Sequence, residues 1–150
     1  MPKKEKIPAP GGKKDEDTNS WSKSKWRAAL LKSMFDLAGR NLRPQGSKIV
    51  SNALMKNRWV IQLDLSHNHL GDDGAIEFAQ VLKVTETLYN VNLSCNEITD
   101  IGAVALAAAF VPCANPTGLP SQWNRSVNYL SLACNEIADD GFVALANAAA

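Results

Sequence analysis

LDLSHNHLGDDGA from Leu63, VNLSCNEITDIGA from Val91 and LSLACNEIADDGF from Leu130 superpose without a gap, each reading apolar-x-Leu-x-x-Asn-x-(Leu or Ile)-x-x-x-Gly. A weaker copy, FDLAGRNLRPQGS from Phe35, carries Arg40 where the others carry Asn68, Asn96 and Asn135. The second apolar position of each copy falls at Leu37, Leu65, Leu93 and Leu132, so the spacings are 28, 28 and 39, the last being the same unit with 11 residues inserted. Within a unit the apolar period changes. Leu63 and Leu65, Val91 and Leu93, and Leu130 and Leu132 alternate as a short strand with one buried face does. After the glycine, Ala75, Phe78, Ala79 and Leu82 recur at helical spacing, as do Ala103, Leu106, Ala107 and Phe110, then Phe142, Leu145, Ala146 and Ala149. One unit is therefore strand, turn, helix. A single unit cannot bury its apolar face, so the units must stack around a continuous core.

These phased units resemble leucine-rich repeats of the ribonuclease-inhibitor type over Phe35 to Ala150. The resemblance implies an α/β fold, a leucine-rich-repeat solenoid arc with a concave parallel sheet and convex helices. It also implies a structural ladder of Asn68, Asn96 and Asn135, each side chain bonding backbone groups in the turn after its strand. Arg40 breaks that ladder, which marks the first unit as a degenerate cap.

The remaining sequence sets the boundaries. At 150 residues, 45% hydrophobic and 21% charged, the composition suits one soluble globular domain and excludes collagen-like and wholly disordered classes. Residues 1–20, rich in Pro, Gly and Lys with Ile7 as the sole branched aliphatic, are expected to be a disordered basic tail. Trp26, Leu30 and Met34 fall at helical spacing, so residues 21–58 are expected to hold an N-terminal capping helix and the degenerate first repeat. A membrane-surface or calmodulin-like role for that basic helix is the other reading. Residues 59–150 are the repeats, with an insertion at about 112–126. The net charge of +1 conceals an asymmetry: residues 1–58 hold 14 Lys and Arg against 5 acids, and residues 59–150 hold 2 against 10. A basic arm of +9 joined to an acidic body of −8 either meets an acidic surface or folds back on its own domain. No secretory signal and no membrane span are legible, so a cytoplasmic chain with Cys95, Cys113 and Cys134 as thiols is expected.

No catalytic constellation and no cofactor cradle is legible, so the chain is not read as an enzyme and no cofactor is expected. His67 and His69 read as loop positions, without the second cluster a zinc site needs. Cys95 and Cys134 share a repeat column and read as stacked structural thiols. Acids recur at one corner of each full unit (Asp72 and Asp73, Asp100, Asp139 and Asp140), where they can cap the helix that follows or form an acidic rim.

Binding is assigned instead to strand positions that the core does not use. Alternation places Gln62, Asp64, Ser66, Asn90, Asn92, Tyr129 and Ser131 on the concave surface as partner-binding candidates. Trp123 and Arg125, in the inserted loop, are of the types enriched at interface hot spots. The reading is a non-catalytic protein–protein interaction scaffold, of the kind found as a structural subunit in cytoskeletal, ciliary or axonemal assemblies. The alternative is a GTPase regulator similar to Ran GTPase-activating proteins, against which stand the few repeats and the absence of a long acidic run. The apolar end at ALANAAA is expected to be covered by a partner or by further repeats.

Overall fold

The computed structural model describes Lys25, Ala28, residues 30–112 and residues 123–149. Residues 1–20, most of the expected capping helix and residues 113–122 of the insertion lie outside that set. Four units follow one another as β1 (Met34–Asp36), α1 (Arg43–Leu54), β2 (Gln62–Asp64), α2 (Gly71–Val84), β3 (Asn90–Asn92), α3 (Asp100–Ala107), β4 (Tyr129–Ser131) and α4 (Asp139–Ala149). The strands form one parallel sheet in sequence order. Their register follows the repeat: Phe35 lies beside Leu63, Leu63 beside Val91, and Val91 beside Leu130. Sheet and helices make the expected α/β solenoid arc.

The three-residue strands are lengthened by a further tier of backbone bonds, Leu37 N–H to Asp64 O, Leu65 N–H to Asn92 O and Leu93 N–H to Ser131 O, each 2.8 to 2.9 Å. The core lies between sheet and helices. Leu37, Leu65 and Leu93 from the sheet side meet Phe78, Leu82 and Leu106 from the helices, all essentially buried. Burying such a side chain contributes about 1.5 to 3 kcal/mol, so this stripe is the main source of stability. Leu130 and Leu132 are only partly buried, and Phe142 is 69% exposed, because the fourth unit has a described neighbour on one side only.

Two expectations are corrected here. Met34, whose spacing from Trp26 and Leu30 predicts a helix, opens β1 instead. The next apolar pair, Phe35 and Leu37, is in phase with Leu63 and Leu65, and sheet pairing with β2 overrides a spacing supported by only three residues. Leu30 does lie in a helical stretch and packs on the core. The insertion also ends earlier than 126. Asn124 already occupies the column of Asn57 and Thr85, and its side-chain Oδ1 accepts the N–H groups of Ser126 and Val127 as Asn57 Oδ1 accepts those of Trp59 and Val60.

Polar clamps lock each unit to its neighbour. Asn68, Asn96 and Asn135 each donate from Nδ2 to carbonyls of their own turn and to one of the preceding unit, Leu37, Leu65 and Leu93 respectively. Each Oδ1 also accepts a backbone N–H of the preceding unit, from Arg40, Asn68 and Asn96. Arg40 thus contributes its backbone to the ladder although it lacks the amide.

Asp72 and Asp100, placed from sequence as caps of their own helices, bond the following unit instead. Asp72 accepts the N–H groups of Thr99 and Gly102 at 2.9 Å and the Thr99 hydroxyl at 2.6 Å, and Asp100 accepts those of Ala138 and Gly141 at 2.8 and 2.9 Å. Both carboxylates satisfy donors that the next helix start leaves free. Burial pushes the Asp72 carboxyl up, but the bonds from the Thr99 hydroxyl, Thr99 N–H and Gly102 N–H outweigh it and hold the group below its usual 3.8. A depressed carboxyl contributes stability above its unfolded pKa that is lost as pH falls through the folded one. Asp72→Asn is therefore expected to lower stability near neutral pH, with the gap to wild type narrowing below about pH 4. Urea titrations at neutral and acid pH check this, and a gap that stays constant would refute it.

Candidate interaction face

The pleat sends alternate strand residues away from the core. Two registered columns therefore run across the concave face: Met34, Gln62, Asn90 and Tyr129, then Asp36, Asp64, Asn92 and Ser131. These residues line one shallow concavity over the sheet. Its floor is polar and partly pre-arranged. Asp64 accepts the Ser66 N–H and hydroxyl on Oδ1, at 2.9 and 2.7 Å, and the Asn92 amide on Oδ2 at 3.1 Å. Asp36 accepts the Ala38 N–H at 2.9 Å. The Ser94 and Ser131 hydroxyls lie 2.8 Å apart.

Of the seven strand candidates, Gln62, Asp64, Asn90, Asn92, Tyr129 and Ser131 lie together in this concavity. Ser66 does not present itself to a partner. It is 7% exposed and its hydroxyl is spent on Asp64, because the chain dips toward the Asn68 turn at that point. Met34 joins the face at 59% exposure, matching Tyr129 at 58%. Its helical spacing from Leu30 hides that role in the sequence. Trp59, Ile61 and Tyr89 form a further exposed apolar set just before β2 and β3. Ile61 and Tyr89 stand 28 apart, so the repeat period itself could have found them.

The loop candidates lie elsewhere. Arg125 stacks over the Trp123 ring at 4.0 Å from its centroid, and both border a hollow with Lys83, Thr85 and Glu86 at the end of α2. The buried Asn124 between them anchors this corner by donating to Leu82 O at 2.7 Å. Trp123 is half-buried and Arg125 exposed, a cation–π pair remote from the concave columns.

Among the described residues no group of three or more His, Cys, Asp or Glu is placed to hold a metal ion. His67, Cys95 and Cys134 have φ of 58°, 56° and 54°, the left-handed conformation that Gly39 adopts in the first unit. Cys95 and Cys134 are free thiols that do stack, but they are half-exposed and exposed rather than core residues, since the left-handed turn carries the column away from the sheet. Burial and the adjacent Cys134 thiol together push the Cys95 thiol up. His69 pairs with Glu97 at 2.6 Å in the same repeat column, both exposed. Among the described residues no helix is long and apolar enough to cross a membrane.

Parallel strand-turn-helix units, locked by an asparagine ladder and carrying a polar concave sheet, define an α/β solenoid of the repeat class. The leucine-rich repeat family model matches residues 56–79, 87–107 and 124–146. The chain is a leucine-rich repeat protein. No curated protein matches it significantly. Among solved structures it is similar to "Leiomodin-1 Actin-Binding Site 2 (ABS2)", with 21% identity and a TM-score of 0.59 over 69% of this chain. The chain spans 55% of that structure, and the likeness is one of fold.

Proposed function

We propose that the chain is a non-catalytic scaffold that binds another protein through its concave face, as a structural subunit of a cytoskeletal or axonemal assembly. The observation that carries this is the pair of registered columns, where exposed Met34 and Tyr129 flank acids and amides that the core does not need. Extended concave surfaces of this kind are what solenoids offer to partners. Leucine-rich repeats suit such a role, and the actin-binding site for which the similar leiomodin structure is named is compatible with a cytoskeletal partner. Units of 28 residues with helices of 12 and 14 residues favour the ribonuclease-inhibitor subtype.

Co-sedimentation with actin filaments and with microtubules tests the reading. Wild type is expected to pellet with one of them, and the triple variant Asp64→Ala, Asn92→Ala, Tyr129→Ala to bind at least about tenfold more weakly. Failure to pellet with either filament would overturn the cytoskeletal assignment. Equal binding by the triple variant would overturn the concave face.

A further inference from the structure

We infer that Cys95 and Cys134 are a modification site, a dithiol that exchange with glutathione disulfide closes into a reversible clamp between the third and fourth units. Neither cysteine lines the concavity, so the inference stands apart from the scaffold reading. The first observation is register. β3 and β4 pair Asn92 with Ser131, and the ladder runs on past both strands: the Leu93 N–H donates to Ser131 O and the Cys95 N–H to Ala133 O, each at 2.9 Å. Cys134 is therefore the lateral neighbour of Cys95, about one strand spacing of 4.8 Å away between Cα atoms. Disulfides bridge Cα atoms about 4.4 to 6.8 Å apart. Both residues take the same left-handed backbone, with φ of 56° and 54°, so their side chains leave the turn on the same side. The Cβ atoms must close by about 1 Å, to about 3.8 Å. A turn beyond the strand ends gives that much, and the fourth unit has a described neighbour on one side only.

The second observation is that packing and backbone account for neither thiol. A free cysteine is ordinarily a small buried hydrophobe, yet Cys95 is half-exposed and Cys134 exposed. The left-handed turn favours the types that hold the column in the first two units, Gly39 and His67, over cysteine. Disulfide exchange uses what the site does offer, two sulfurs side by side with one open to solvent. Burial and the Cys134 thiol beside it push the Cys95 thiol up, so the two groups are close enough to act on each other.

The exposed Cys134 takes the first step. Its thiolate attacks one sulfur of glutathione disulfide, that S–S bond breaks, and one glutathione thiolate leaves a mixed disulfide on Cys134. The Cys95 thiolate then attacks the Cys134 sulfur and expels the second glutathione. The two cysteines lose two protons and two electrons, and glutathione disulfide, the oxidant, is reduced to two glutathione thiols. The bridge ties the fourth unit, whose Leu130 and Leu132 are only partly buried, to the third, whose Val91 and Leu93 are fully buried. It thereby removes conformations open to the fourth unit when it detaches.

Wild-type chain and Cys113→Ser, incubated in glutathione buffers of graded redox ratio and then alkylated, test this by intact mass and peptide mapping. Oxidising buffers are expected to remove two hydrogens from the monomeric chain and to yield one crosslinked peptide joining Cys95 to Cys134, reversed by excess reduced glutathione. Cys95→Ser should stop with one glutathione on Cys134. Oxidation should slow amide hydrogen exchange at least about tenfold across residues 129–149 and leave residues 34–54 unchanged. Glutathione on both cysteines without a crosslink, a bridge to Cys113 or between chains instead, or a bridge that forms only in urea would overturn the inference. A Cys95–Cys134 bridge with unchanged exchange in the fourth unit would overturn the clamp.

Discussion

Asn96→Ala is expected to destabilise the chain by about 3 to 5 kcal/mol, because several buried polar groups lose their partners at once. Asn96 is fully buried. Its Nδ2 donates to Leu65 O, Leu93 O and Ser94 O at 2.9 to 3.1 Å, and its Oδ1 accepts the Asn68 N–H at 3.0 Å. Alanine removes all four bonds and leaves a cavity too dry and small to be repaired cheaply by water. Asn135→Ala removes the same kinds of bond, from a side chain that is only partly buried in the last unit. Water can reach that site, so a cost nearer 1 to 2 kcal/mol is expected, at the lower end of the range for an unpaired group. Urea unfolding followed by circular dichroism measures both. Because neighbour contacts carry the cooperativity of a repeat array, Asn96→Ala should also lower the slope of the transition as the units on either side uncouple. Equal costs at the two positions would show that burial does not set the strength of the ladder.

The difference between what was legible in the sequence and what was not follows from whether a role repeats in residue type. Leu65, Leu93 and Leu132, and the asparagines behind them, recur identically, because each unit puts the same demand on the same column; strand, turn, helix and the ladder are readable for that reason. The corner before each strand has a comparable polar column in Asn57, Thr85 and Asn124, whose side chains accept the N–H groups two and three residues on. Amide and hydroxyl do that job interchangeably, so no repeated letter announces it. Asp72 and Asp100 were visible as a column but not their direction. An aspartate at a helix start fits a local cap as well as a clamp on the next unit, and only the stacking distance decides between them. On the face, Gln62, Asp64, Asn90, Asn92, Tyr129 and Ser131 were readable from alternation alone, whereas Met34 and the Ser66 burial depended on where β1 starts and where the chain turns down.

The repeated glycine supports the second large effect. Gly102→Ala is expected to destabilise by about 2 to 4 kcal/mol, although glycine to alanine inside a helix ordinarily stabilises by about 0.5 to 1 kcal/mol. A Cβ at Gly102 would stand 2.6 Å from Asp72 Oδ1, 2.7 Å from Ile98 Cγ2 and 2.9 Å from Ala75 Cβ. None of these can withdraw cheaply. Asp72 is held by its bonds to Thr99 and to the Gly102 N–H, Ile98 is fully buried, and Ala75 belongs to the neighbouring helix. Relief requires α3 to move away from α2, which stretches the Asp72 clamp and opens the core beside Ala75 and Leu106. Gly141 faces the equivalent crowd at 2.6 Å from Asp100 Oδ1 and 2.9 Å from Ala103 Cβ, but α4 has a described neighbour on one side only and can shift outward. Gly141→Ala should therefore cost less than Gly102→Ala. Combining Gly102→Ala with Asp72→Ala separates the causes. If the carboxylate is the principal obstacle, the double variant will be less destabilised than the sum of the two singles by more than about 0.5 kcal/mol, the usual limit of additivity. A strictly additive result would assign the cost to the Ile98 and Ala75 contacts, and a neutral Gly102→Ala would mean that the glycine column is not set by the closeness of the helices at all.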